Sequence, residues 1–414
     1  MTDASPAVTY QDLQAAAARL KGHIPEARVI PVPELAEALG AKEVMFVVDT
    51  PHPLGMEGAQ HAGNTFKLRG AANAIFCALD ARQGEEAITF VTASAGNHAQ
   101  GVAAAVRRAG ERGQLKEGDK AIIFVPETAP ENKVENTRVL GGRFVEVRKQ
   151  GKTFDDTKRI ATEFADGKRA TQFIPPFDDA RVIAGQGTLG IEIFRHCTPD
   201  YIYAACGGGG LAAGLEIAAG HDSNKTRIIA VEPLYVPSAV RALMPTGAES
   251  RPVSHYKNRP VAGGINVSKI GDLPHQILAN RQSGVATVTA EMIEYATLMA
   301  MDILKPHAGE DPLHEYTAEL SAGTSLAALL NTPRNLLKGR SIAVIIGGAN
   351  PEWEQAKLQC QVEQDTADAS GDKRRNWNEQ PLTDKVEAFP RMHALGTWVN
   401  MDKLVVPPHA GLPI

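Results

Sequence analysis

Residues 201–214 of this 414-residue chain read YIYAACGGGGLAAG, and this stretch indicates both a fold and a binding site. A short apolar strand leads into four successive glycines, after which a helix rich in alanine and leucine begins. Glycines let the backbone approach a ligand closely, and the free N–H groups at a helix N-terminus attract anions. No Lys-Ser or Lys-Thr pair follows, so the loop is not a nucleotide P-loop. Either the loop is flexible and binds nothing, or it binds a phosphate, which is the interpretation we favour. The predicted glycine cradle consists of Gly207, Gly208, Gly209 and Gly210.

The same alternation of strand and helix continues along most of the chain. Candidate strands are residues 87–92, 121–125, 143–147, 201–205, 227–231 and 341–346. Helical patterns lie between them, at residues 98–109, 131–140 and 153–165 among others. Short apolar strands separated by helices form parallel sheets that helices cover on both faces. The sequence therefore predicts an α/β protein with mostly parallel sheets flanked by helices.

We expect two domains with a cleft between them. The large domain would combine residues 1–87 with residues 173–350, and the small domain would span residues 88–172. Residues 351–414 form a linker and a C-terminal extension, since residues 364–385 are polar and of mixed charge. The tail after this linker is too short for a core of its own, so it should dock on the main body or on a neighbouring subunit.

Composition excludes several classes of protein. Hydrophobic residues make up 43% and charged residues 22%, which is typical of a soluble globular protein. The net charge is −5 with no basic stripe, so we expect no nucleic-acid partner. No apolar run is long enough for a membrane, and no signal pattern opens the chain. Four cysteines without a C-x-x-C pair predict a cytoplasmic location, and no histidines pair at metal-ligand spacing.

Residues 64–75, NTFKLRGAANAI, place Lys67 at the start of an alanine-rich helix between two apolar neighbours. An exposed lysine there would be ordinary. A lysine in an apolar, electropositive position instead has a lowered pKa and presents the free amine that forms an imine with an aldehyde.

Residues 91–102, VTASAGNHAQGV, again join a strand to a helix. Ser94 and the backbone N–H groups of residues 94–98 could hold a carboxylate, and Asn97 could donate to a ligand oxygen. Ser94 could equally be an ordinary helix N-cap that needs no ligand.

Residues 185–190, GQGTLG, match the G-x-G-x-x-G pattern of dinucleotide-binding proteins. The residues before them include Pro175-Pro176 and form no convincing buried strand, so the context of that motif is missing. Close packing at a helix start is the simpler explanation.

Taken together, four strings of sequence carry a family resemblance: FKLRGAANAI, TASAGNHAQGVA, PPFDDARVIAGQGTLGIEI and CGGGGLAAG. In this order and spacing they resemble the fold-type II enzymes that use pyridoxal 5′-phosphate (PLP), the tryptophan synthase β-like superfamily. The pattern is most similar to that of the threonine and serine dehydratases, which are ammonia-lyases. The resemblance spans roughly residues 30–350.

The resemblance implies a cofactor site. Lys67 would hold PLP as a Schiff base, with Phe66 and Gly264 on opposite faces of the ring. Asn97 would bind the phenolic oxygen, while the glycine cradle and Leu211 would bind the phosphate. Glu319 would lie near the ring. The loop predicted to hold the substrate carboxylate consists of Ser94, Ala95, Gly96, Asn97 and His98.

The implied reaction is β-elimination from a 3-hydroxy amino acid such as threonine or serine, giving a 2-oxo acid and ammonia. Three alternatives stay open: a β-replacement synthase, a racemase, or a homologue that binds PLP without catalysis. Serine racemases carry a hydroxyl where this chain has Ala95, which cannot transfer a proton. Relatives are usually dimers or tetramers, so we expect a homo-oligomer.

This chain also departs from the family. Gly347 stands where relatives have the serine or threonine that contacts the pyridine nitrogen, which leaves water, Thr324, Ser325 or Glu319 for that role. Residues 47–64, which approach the lysine, form a longer segment than in relatives. Glu232 resembles the start of a cation site, but no acidic residue follows within six positions, so we expect no metal. Only 64 residues follow Asn350, so we expect no effector domain of the kind found in biosynthetic threonine dehydratases.

Overall fold

The protein is described by a computed structural model. It covers residues 8–50, 65–223, 225–243, 260–281, 283–307, 318–350, 380–389 and 398–399. The described strands are β1 (Arg28–Pro31), β2 (Glu43–Val48), β3 (Thr89–Ala93), β4 (Lys120–Val125), β5 (Val145–Lys149), β6 (Thr171–Phe173), β7 (Tyr201–Ala205), β8 (Arg227–Pro233), β9 (Gly284–Val288), β10 (Ser341–Ile346) and β11 (Trp398–Val399). The described α-helices are α1 (Tyr10–Leu20), α2 (Pro33–Leu39), α3 (Lys67–Asp80), α4 (Asn97–Glu111), α5 (Glu131–Gly141), α6 (Phe154–Ala165), α7 (Ala180–His196), α8 (Gly210–Asp222), α9 (Ser238–Leu243), α10 (Asp272–Arg281), α11 (Ala290–Leu304), α12 (Leu320–Asn331), α13 (Arg334–Leu337) and α14 (Leu382–Ala388).

The larger of two sheets has the strand order β1-β2-β10-β7-β8-β9-β11. Its inner strands are parallel, and the two edge strands, β1 and β11, are antiparallel to their neighbours. Successive residues of β7 point to opposite faces, so Tyr203 packs with Leu326 of α12 while Ile202 packs with Leu215 of α8. Helices therefore cover both faces, which explains why the inner strands of this sheet are mostly apolar.

The smaller sheet has the order β5-β4-β3-β6 and is parallel throughout. One face packs on α3 and α4, where Phe90 shares a cluster with Ile75 and Val102. The other face packs on α6, where Val91 lies in a cluster with Ala161. The α/β class with mostly parallel sheets flanked by helices is thus confirmed. The division into domains at residues 87/88 and 172/173 stays a proposal.

All six predicted strands and the three named helices occur, with bounds shifted by up to two residues. The sequence prediction did not include β1, β2, β6, β9 or β11. No helix in the described ranges is long and apolar enough to span a membrane.

Part of the C-terminal extension docks on the main body. Tyr295 of α11 donates to the Lys385 carbonyl (2.8 Å), and the Lys385 ammonium pairs with Asp302 (2.6 Å). Phe389 is fully buried in the same core as α11. Most of the predicted linker lies outside the described residues, as do residues 51–64 of the segment that approaches Lys67.

Candidate active site

The predicted site residues cluster where parallel strands of both sheets end. The Ser94 loop follows β3, the glycine cradle follows β7, and Gly347 follows β10. In α/β proteins ligands bind at the carboxyl ends of parallel strands, so the topology itself places the site here.

Lys67 is the first residue of α3, and the backbone around it is held by the loop after β10. The Phe66 N–H donates to the Gly347 carbonyl (3.0 Å), and Thr65 forms a β-bridge with Gly348. On the other side, a Cβ placed on Gly101 of α4 would come within 3.1 Å of the Lys67 backbone. A side chain at residue 101 would therefore push the starts of α3 and α4 apart by a few tenths of an ångström.

The Lys67 amine points into the protein. Its Nζ donates to the Pro176 carbonyl at 3.0 Å and lies 5.1 Å from the Phe66 ring and 5.9 Å from the Phe177 ring. Burial lowers the pKa of Lys67 to about 8, although nearby Cys206 and Glu319 act in the opposite direction. The amine is therefore neutral far more often than that of an exposed lysine, which favours the second of the two interpretations of Lys67.

The glycine cradle is built for close approach. Gly209 has a φ of +88°, in the left-handed region that glycine adopts readily. A Cβ on Gly208 would lie 2.1 Å from the Phe177 ring, and one on Gly207 would lie 3.0 Å from the Ile265 backbone. The first hydrogen bond within α8 runs from Ala213 to Gly209, so the N–H groups of residues 210–212, including Leu211, precede it and can face an anion.

Asn97 belongs to a hydrogen-bonded chain that sequence reasoning missed. Its Nδ2 donates to Glu319 Oε1 at 2.7 Å, and its Oδ1 accepts from Asn350 Nδ2 at 2.7 Å. The chain links the start of α4 to the N-cap of α12 and to the loop after β10. The only signal for Asn350 in the sequence is its place just after the glycines that end a strand.

Gly264 lies beside Glu319, in a 3₁₀ turn over Gly263–Ile265. Its N–H donates to Ser321 Oγ (3.2 Å), and a Cβ there would lie 3.4 Å from Glu319 Oε1. A Cβ on Gly347 would lie 3.0 Å from the Phe66 ring. The residues predicted to surround a planar ring thus lie together.

The Ser94 loop differs in detail from expectation. The N-cap of α4 is Gly96, so Ser94 is not an ordinary helix N-cap; its hydroxyl accepts from the Gly96 N–H at 3.2 Å instead. Ala95 and Gly96 form a bend that leads directly into α4. The N–H groups of residues 97–99 precede the first bond within α4, from Gln100 to Gly96, and can face a carboxylate.

The His98 side chain turns away from this loop. His98 is 3% exposed, and its Nε2 lies 3.0 Å from the Ile174 carbonyl. Burial lowers the pKa of His98 to about 3, so the ring is neutral and donates from Nε2. The His98 backbone N–H can therefore face a bound carboxylate, while the His98 imidazole contacts the Ile174 carbonyl.

The three side chains predicted as possible contacts of the pyridine nitrogen, Thr324, Ser325 and Glu319, make different hydrogen bonds. The Thr324 hydroxyl donates to the Leu320 carbonyl within its own helix (3.1 Å). The Ser325 hydroxyl accepts from the Ala205 N–H (2.9 Å), directly before the cradle, and Glu319 is bound to Asn97. Ser325 and Glu319 thus contact residues next to or within the predicted site, whereas the Thr324 hydroxyl is bound within its own helix.

Two other sequence features, the glycines of residues 185–190 and Glu232, make packing and capping contacts in the structure. Residues 185–190 lie inside α7, where a Cβ on Gly185 would lie 2.6 Å from the Arg69 carbonyl and one on Gly190 would lie 2.4 Å from Ala218, so these glycines serve helix packing. Glu232 caps α9 by accepting from the Ala239 and Val240 N–H groups at 2.7 and 2.8 Å. Among the described residues, no group of three or more His, Cys, Asp or Glu side chains is arranged to hold a metal.

The chain is similar to known proteins over most of its length. A family model described as "Pyridoxal-phosphate dependent enzyme" matches residues 20–348. The L-threonine ammonia-lyase of Thermotoga maritima is 31% identical over 346 residues, which are 83% of this chain and 76% of the relative. The chain spans 51% of the biosynthetic L-threonine dehydratase of Haemophilus influenzae and 64% of that of Lactococcus lactis.

Solved structures agree in fold. The processed form of threonine deaminase isoform 2 from Solanum lycopersicum has a TM-score of 0.65 and 28% identity, covering 84% of this chain and 92% of that one. A serine racemase from Dictyostelium discoideum has a TM-score of 0.66 and 27% identity, covering 84% and 99%.

Proposed function

The chain belongs to the family of pyridoxal-phosphate-dependent enzymes, and we propose that it acts there as an ammonia-lyase of the threonine/serine dehydratase type. It removes the 3-hydroxyl and then the amino group of a 3-hydroxy amino acid, which yields a 2-oxo acid and ammonia. The observation that carries this proposal is a buried lysine amine of lowered pKa, Lys67, beside a glycine cradle at a helix N-terminus.

The residues present fit the cofactor. PLP needs an amine for its aldehyde, N–H donors for its phosphate and a flat, apolar space for its ring. Lys67 would provide the amine, residues 207–211 would provide the donors, and Phe66 and Gly264 would lie beside the ring. The cradle excludes side chains, since a Cβ on Gly208 would collide with Phe177. Asn97 would bind the phenolic oxygen, exchanging its contact with Glu319 for one with the cofactor.

When bound, the cofactor supplies an electron sink that acidifies the Cα–H of an attached amino acid. The N–H groups of residues 97–99, with the Ser94 loop, hold the substrate carboxylate and so orient that bond. The lowered pKa of Lys67 raises the neutral fraction of its amine, and that neutral amine would accept the Cα proton at Nζ. The Pro176 carbonyl accepts a hydrogen bond from the same Nζ and so helps to hold the amine in place.

We infer that the protein is a cytoplasmic homodimer or homotetramer and that it binds a small amino acid as its substrate. In support, the three cysteines within the described ranges, Cys77, Cys197 and Cys206, are free thiols, as expected in a reducing compartment.

The experiment that tests the proposal is Lys67→Ala, compared with Lys120→Ala, which removes a half-exposed lysine of the small sheet. Lys67→Ala should abolish 2-oxo acid release from L-threonine and L-serine, while Lys120→Ala should leave it unchanged. Borohydride reduction followed by peptide mass analysis should place the cofactor on Lys67. Substantial turnover by Lys67→Ala, or a covalent adduct on another lysine, contradicts the assignment.

A further inference from the structure

Residues 174–177, which we call the strut, connect the small sheet to the glycine cradle. The Ile174 N–H donates to the Val91 carbonyl of β3 at 2.7 Å. The Ile174 carbonyl accepts two side-chain hydrogen bonds, from Thr92 Oγ1 at 2.8 Å and from His98 Nε2 at 3.0 Å. Thr92 is fully buried and His98 is 3% exposed, so the start of the strut is held from both sides.

The middle of the strut is stiff and reaches the lysine. Pro175 and Pro176 have ring-restricted φ angles, which limits the ways in which this stretch can bend. The Pro176 carbonyl accepts from Lys67 Nζ at 3.0 Å. A shift of Ile174 would therefore be passed along two prolines to the partner of the lysine amine.

The end of the strut packs on the cradle. A Cβ on Gly208 would lie 2.1 Å from the Phe177 ring, and one on Gly210 would lie 3.1 Å from the Phe177 backbone, so these residues are already in tight contact. Beyond it, the Asp178 carboxylate accepts from the first two N–H groups of α10 at 3.1 and 2.9 Å. The strut is thus anchored at both ends and touches both the amine and the cradle.

We propose that the strut sets the position of the Lys67 amine relative to the glycine cradle, and that His98 and Thr92 are positioning residues that act through the Ile174 carbonyl. This inference rests on the proposed function, since PLP must reach the amine with its aldehyde while its phosphate lies in the cradle. A ligand that has the phosphate and the ring but no aldehyde uses the cradle alone. Changes in the strut should therefore weaken the binding of PLP and hardly affect the binding of the ligand without an aldehyde.

The test is an exchange equilibrium on the holoenzyme. Wild-type protein and variants are dialysed against a fixed, saturating concentration of PLP together with rising concentrations of pyridoxine 5′-phosphate, which lacks the aldehyde, and the PLP that remains attached is measured by absorbance. The midpoint reports the ratio of the two affinities directly. His98→Leu removes the donor to Ile174 and should shift this ratio about fivefold against PLP, the amount expected for one hydrogen bond. His98→Gln keeps an N–H donor and should restore most of the wild-type ratio.

Two threonine variants form the matched control. Thr92→Val removes the second donor to the Ile174 carbonyl with little change in shape and should shift the ratio in the same direction. Thr226→Val removes a comparable buried bond, from Thr226 Oγ1 to the Pro199 carbonyl at 2.6 Å, outside the strut, and should leave the ratio unchanged. Thr92→Val also carries the test if His98→Leu does not fold.

The outcomes separate the two proposals. A ratio that stays at the wild-type value in Thr92→Val, and in any folded His98→Leu, overturns the positioning role, because loss of general stability weakens both ligands alike. A wild-type protein that never attaches PLP to Lys67 overturns the proposed function instead.

Discussion

Replacing Arg69 by methionine should destabilise the protein more than any exposed charge change. Arg69 is 2% exposed and lies two residues after Lys67 in α3. Its guanidinium pairs with Asp49 at 2.8 Å and with Glu192 at 2.6 Å. Glu192 also accepts the Ala27 N–H (2.8 Å), so the cluster ties the N-terminal part of the chain, β2, α3 and α7 together.

The expected size follows from what Arg69→Met leaves behind. Two carboxylates would stay in a dry environment without a cation, and removing one partner of a buried ion pair costs about 3–5 kcal/mol. Typical folding free energies are about 5–15 kcal/mol, so the loss is a large fraction of the whole. Arg69→Lys keeps a charge but loses the two-pronged geometry, and it should fall between wild type and Arg69→Met.

Urea unfolding of the holoenzyme, followed by far-UV circular dichroism, measures this loss. The control is Arg159→Met on α6, where Arg159 is 60% exposed and pairs with Glu163. That exposed pair should contribute at most about 0.5 kcal/mol. If Arg69→Met costs less than about 1 kcal/mol, the carboxylates are not left unpaired in a buried site, and the reasoning from burial is wrong.

Two further predictions concern the chemistry of the site. The rate at which PLP attaches to cofactor-free protein should rise with pH and level off above about pH 8. The reason is that the lowered pKa of Lys67 makes the attacking neutral amine dominant there. Absorbance of the attached cofactor measures this rate, and a plateau only above pH 10 contradicts the burial of the amine. Ala95→Ser should raise racemisation relative to elimination, because it supplies a hydroxyl where serine racemases have one. Chiral chromatography of recovered serine checks this, and an unchanged ratio of racemisation to elimination shows that a single hydroxyl is not sufficient.

Much of the fold could be predicted from local patterns. The predicted strands were short apolar runs bounded by glycine or proline, and such runs are buried on both faces of a parallel sheet. The strands that were missed carry weaker signals. β6 has only three residues, and the EVMFVV run of β2 is an apolar segment that periodicity alone does not distinguish from a buried helix.

The sequence by itself determined the chemical parts of the site: the lysine at a helix start, the glycines that only a close ligand or a close backbone requires, and the asparagine loop. These are local features, because each depends on a strand, a turn and a helix that are adjacent in the chain. The tertiary structure alone decided which distant side chains meet. Asn97 and Glu319 lie 222 positions apart, and His98 and Ile174 lie 76 apart. No periodicity encodes such pairs, because they arise from how two sheets with different strand orders bring their carboxyl ends together.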